Sequence, residues 1–120
     1  MEKKIGRITI APNVLTTIVR LTTLAQPGVH RMSSRHGKGV GRMFSSRHHA
    51  VDEGVQVEVH DDAVSVDVWI VARADANMLE LGQTLQSEIT RAIHDMVGMA
   101  VREVNIHIDD VAFASANTGV

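Results

Sequence analysis

The 120-residue sequence contains no cysteine. That absence excludes a disulfide framework, thiolate-held zinc, iron–sulfur ligation and cysteine catalysis together. Aromatic residues are nearly missing as well, with one Trp, two Phe and no Tyr. A core must therefore be built from Val, Ile, Leu, Met and Ala, and little is left for base-stacking platforms. No run of about 18 apolar residues is present to span a bilayer. The opening Met1–Arg7 carries no signal-peptide core. The expectation is a cytoplasmic protein, brought near a membrane through a partner or a surface patch.

What is present is an ordinary globular composition, 44% hydrophobic and 22% charged. At this length it fits one domain, read as residues 1–113 with a flexible tail over 114–120. The net charge of −2 conceals an asymmetry: residues 1–51 carry +8 and residues 52–120 carry −10. Opposite halves of this size can neutralise one another within a fold or between copies of it.

Arg7-Ile8-Thr9-Ile10 alternates and predicts a first strand. Pro12 suits a first helical turn, and Val14, Leu15, Ile18, Leu21 and Ala25 recur at helical spacing. Gln26-Pro27-Gly28 ends that helix, after which Val29–Met32 reads as extended. Residues 33–50 are rich in Gly, Ser, His and basic side chains without an acid, which predicts a long loop. Val55, Val57 and Val59 alternate with polar residues, and the alternation resumes after Asp61-Asp62 as Val64, Val66, Val68 and Ile70. A two-residue turn pairs His60 with Ala63 and sets Val57 opposite Val66, giving one all-valine face; a longer loop would shift this register.

Asn77 with Glu80 forms a capping pair before an amphipathic stretch whose stripe is Met78, Gly82, Leu85, Ile89, Ala92, Met96 and Met99, widened by Leu81 and Ile93 and closed by Gly98. Val104, Ile106 and Ile108 mark a last strand. The predicted order is β-α-β-β-α-β, an α+β two-layer sandwich with a small mixed or antiparallel sheet and both helices on one face.

The chemical motifs are weak. Gly37-Lys38-Gly39-Val40-Gly41-Arg42 has neither the spacing of a phosphate loop nor the third glycine of a dinucleotide site. The seven histidines include no His-Glu-x-x-His and no i, i+4 helical pair. Serine and histidine cluster in the predicted loop rather than on rigid elements, so no triad is indicated. The expectation is no catalytic residue, no metal, no cofactor and no small-molecule substrate. The candidate interaction residues are Arg31, Arg35, Lys38, Arg42, Arg47 and Trp69: five cations around the loop and the one tryptophan.

Four stretches together resemble the alkaline shock protein family of bacterial envelope stress response proteins. They are Gly6–Pro12 with Val14, Pro27-Gly28-Val29, Gly54–Val59 with Val66–Val71, and Val101–Ile108. The resemblance covers about residues 5–111. It implies a non-enzymatic, cytoplasmic, oligomer-prone protein active in envelope homeostasis through protein–protein contacts, some members being held at the inner side of the membrane by a membrane-anchored partner. The basic stretch 31–49 departs from the family pattern. The alternative is a module that binds nucleic acid or another anionic surface through that stretch, against which the scarcity of aromatics argues.

Overall fold

Pro12 stands at the first position of helix α1 (Pro12–Leu24), where its missing N–H leaves no helical bond unmade. The computed structural model describes residues 5–34 and 49–113, and of 49–52 the backbone alone. The buried face of α1 is Leu15, Ile18 and Val19, with Thr16 and Thr23. Both threonines are satisfied within the helix, Thr16 Oγ1 donating to the Asn13 carbonyl at 2.9 Å and Thr23 Oγ1 to the Val19 carbonyl at 2.7 Å. Back-bonding lets two hydroxyls share the apolar side, and the face is rotated from the predicted one. Val14 and Leu21 are accordingly 41% and 58% exposed.

Five strands form one sheet: β1 (Val29–Met32), β2 (His49–Asp52), β3 (Val55–His60), β4 (Ala63–Arg73) and β5 (Ala100–Ala112). Helix α2 (Met78–Val97) joins β4 to β5. The valine hairpin has the predicted register, His60 opposite Ala63 and Val57 opposite Val66. Asp61 takes a positive φ of 57° in its two-residue turn, a conformation that Asp tolerates better than most side chains. β5 runs parallel to β4 from Ala63↔Ala100 to Arg73↔Ala112, with register shifts at Val64/Ser65 and Ile70/Val71. The sheet is therefore mixed.

Since β5 occupies one side of β4 throughout, β3 and β1 share the other, β3 along Ala63–Val68 and β1 along Ile70–Ala72. Both are antiparallel to β4, so they are two pieces of one row, left by the chain after Ser33 and rejoined at Gly54. Trp69 lies at the seam. Its N–H donates to the Gly54 carbonyl and its carbonyl accepts from the Ser33 N–H, both at 2.9 Å. Gly54 has φ +74°, and a Cβ there would stand 2.9 Å from the Trp69 carbonyl and 3.0 Å from Met32 Cβ. Only glycine meets both demands.

The observed order is α-β-β-β-β-α-β. The predicted strand Arg7–Ile10 does not form: among the described residues no strand pairs with it, residues 5–11 belong to no strand, and Ile5 and Ile8 are exposed. The predicted loop 33–50 contains the start of β2, which pairs with β3 across the turn Glu53-Gly54. The rest of that loop, residues 35–48, and the predicted tail 114–120 lie outside the described residues.

Val55, Val57, Val64, Val66, Val68 and Ile70 are fully buried in one cluster with Leu15 and Val19 of α1 and Leu81, Leu85, Ile89 and Ile93 of α2. Both helices thus cover the same face of the sheet, each buried valine contributing about 1.5–3 kcal/mol. The Asn77 side chain accepts from the Glu80 N–H at 2.9 Å, and Gly98 closes α2 in the left-handed conformation. Met96, predicted inward, is exposed because the stripe centres on Leu81, Leu85, Ile89 and Ile93.

Candidate functional site

Period-two alternation places one set of β-strand side chains under the helices and the other on the opposite face, which no described helix covers. On β4 this outer set is Ser65, Asp67 and Trp69, and on β5 it is Glu103, Asn105 and His107. The parallel register brings Asp67 beside Asn105 and Trp69 beside His107. The Trp69 and His107 rings stack with centroids 4.9 Å apart and planes 15° from parallel. His107 Nε2 lies 3.0 Å from Asp67 Oδ1. Two fixed contacts thus hold the imidazole, and the indole is anchored through the seam described above.

A second polar link crosses β4 beside this stack. Ser33 Oγ donates to Asp109 Oδ2 at 2.7 Å. Asp109 falls in the register shift between Ile108 and Asp110, and a bulge of this kind re-aims a side chain. The bond ties the point where the chain leaves the sheet to the far strand. The surrounding charge is mainly acidic: Glu58, Asp67, Glu103 and Asp109 stand on or beside this face, with Arg31 and Arg73 among its cations.

Of the predicted interaction residues, Trp69 sits at the centre of this face, partly buried. Arg31 lies opposite Val71 on the same side, its Nη1 donating to the Met32 carbonyl at 3.1 Å. Arg35, Lys38, Arg42 and Arg47 lie outside the described residues. Asp67 and His107 were readable as outward-facing, whereas their conjunction with Trp69 depends on the parallel pairing of strands about forty positions apart, as the 40-residue separation of the His107–Asp67 contact records. From sequence Ser33 reads as the start of a loop and Asp109-Asp110 as turn residues, whereas the structure places both aspartates within β5.

Among the described residues no group of three His, Asp or Glu side chains is placed to hold a metal ion. A surface depression of about 640 Å³ follows α2, lined by Gln83, Gln86, Ser87, Thr90, Arg91 and His94. All six are exposed, so the depression offers no water-excluded environment of the kind that tunes an acid or base. Stacking, hydrogen bonding and acidic surroundings suit the outer sheet face to recognition.

The family model of alkaline shock protein 23, described by a cell envelope-related function, matches residues 1–113. The chain belongs to the alkaline shock protein 23 family. It is 28% identical over 112 residues to YqhY of Bacillus subtilis (strain 168), a protein itself called uncharacterized, covering 93% of this chain and 82% of YqhY. It is 22% identical over 111 residues to YloU of the same organism, also called uncharacterized, covering 92% of each. No solved structure matches the chain. No described helix of this alkaline shock family member is long and apolar enough to cross a membrane.

Proposed function

We propose that this protein is a non-enzymatic component of cell-envelope homeostasis and stress response, acting inside the cell through protein–protein contacts and self-assembly. The observation that carries the reading is the outer sheet face, where Trp69 stacked on His107 forms a fixed aromatic centre among acidic residues. Aromatic anchors with polar surroundings are the usual composition of a recognition patch. Family membership supplies the envelope context.

The partner is a membrane-anchored protein. The segments of such proteins that flank the membrane on its inner side are rich in Lys and Arg, and the carboxylates of Glu58, Asp67, Glu103 and Asp109 complement them. The test is affinity capture from native cells, with and without membrane-solubilising detergent, using wild type and Trp69→Ala. A membrane protein retained by wild type and lost from Trp69→Ala is the expected result. Recovery of ribosomal or nucleoid material that survives high salt, equally by both proteins, would transfer the function to the basic stretch 31–49.

A further inference from the structure

Ile8 and Ile10 alternate with Arg7 and Thr9 as a strand would require, yet no strand among the described residues takes them up. Ile8 is 91% exposed and Ile10 43%. Two exposed isoleucines alternating with polar residues in a segment that belongs to no strand have the pattern of a strand without a ladder. The described fold also contains a ladder without a strand. β5 pairs with β4 alone, so its other side is a sheet edge.

That edge is defined at both ends. At Val104 the carbonyl accepts from Gln86 Nε2 at 3.1 Å, so a side chain of α2 already occupies the position. Beyond Ile108 the register shift around Asp109 interrupts the regular strand. Between these limits Asn105 to Ile108 continue as regular strand, long enough to take Ile8, Thr9 and Ile10, with the re-aimed Asp109 at the margin. Ile106 and Ile108 are only partly buried, so the apolar layer beneath α2 is left incomplete at this margin.

We propose that Arg7–Ile10 of one copy adds as an antiparallel strand to the β5 edge of a second copy. The proposal rests on the self-assembly part of the function given above and supplies its geometry. Antiparallel alignment sets Ile8 opposite Ile108 and Ile10 opposite Ile106, extending the apolar layer by two side chains. It sets Thr9 opposite His107, on the outer face. It brings Arg7 to Asp109 and its neighbour Asp110, an opposite-charge pairing that the parallel alignment would forfeit. The free edge and the exposed isoleucines are removed by one contact, and main-chain hydrogen bonds supply the pairing.

The experiment has two arms. Ile8→Asp/Ile10→Asp leaves the folded core untouched, since both positions are exposed, and its thermal unfolding serves as the check on folding. Sedimentation should show wild type associating with concentration and the double variant weakened by roughly 100-fold in dissociation constant, because two carboxylates would be forced against Ile106 and Ile108. In the second arm, the absence of native cysteine permits an unambiguous cross-link. An equimolar mixture of Thr9→Cys and His107→Cys proteins should form a disulfide-linked heterodimer on mild oxidation, well above a control mixture of Thr9→Cys with Thr84→Cys on the exposed side of α2. A wild type that stays monomeric would overturn both this inference and the self-assembly reading. An oligomer unaffected by the double aspartate variant, or cross-linking no greater than the control, would overturn strand donation alone and leave assembly to another surface.

Discussion

Residues 7–10 and the hairpin of β3 and β4 carry the same period-two pattern and meet opposite fates. In the hairpin every alternate valine from Val55 to Val68 except Val59 is fully buried, whereas Ile8 stands almost wholly in water. The difference is the partner. Val57 faces Val66 across a turn of two residues, so closing that contact needs almost no loop entropy. Arg7–Ile10 has no such neighbour in sequence, and the open ladder of its own fold lies on a strand nearly a hundred residues away. Alternation therefore states a capacity for pairing, which the hairpin fulfils at once and residues 7–10 leave unmet among the described strands.

Four substitutions sharpen this contrast, from the largest effect to the smallest. Val57→Asp should destabilise by more than about 4 kcal/mol, since an unpaired carboxylate would enter the apolar layer; chemical denaturation reads it, and a midpoint equal to wild type would refute the register. Gly54→Ala should destabilise by about 2–3 kcal/mol, the new Cβ meeting the Trp69 carbonyl at a φ that alanine resists. The same variant should dim or shift Trp69 fluorescence, because the seam holds that residue. Asn77→Ala should lower stability by about 1 kcal/mol, the loss of a local cap that needs no distant partner, visible as a small fall in melting temperature. Ile8→Asp should leave the unfolding of dilute, monomeric protein within about 0.5 kcal/mol of wild type; a larger loss would mean that the segment belongs to the core after all.

The elements with local causes were legible. The hairpin register followed from valine alternation, α2 from Asn77, Glu80 and Gly98, and the start of α1 from Pro12. The rotation of α1 was not, because Thr16 and Thr23 count as polar until their hydroxyls are seen to bond within the helix. β2 was hidden by its short length and its basic neighbours, although Glu53-Gly54 before a valine run is a hairpin signal that its composition obscured. The candidate site divides similarly. The outward direction of Asp67, Trp69 and His107 was readable from each strand alone, while the indole–imidazole stack and the Ser33–Asp109 bond arise from the register between distant strands.

The seam at Trp69 sets how this fold can vary. The chain departs at Ser33 and returns at Gly54 against the N–H and carbonyl of a single residue, so the two ends of the excursion are fixed by main-chain bonds that are indifferent to what lies between them. Lengthening an excursion whose ends are already held costs only about 0.6 kcal/mol per doubling. An insertion between Ser34 and His49 is therefore expected to leave β1 and β3 in their places, because the bonds that fix their junction belong to Ser33, Gly54 and the peptide groups of Trp69.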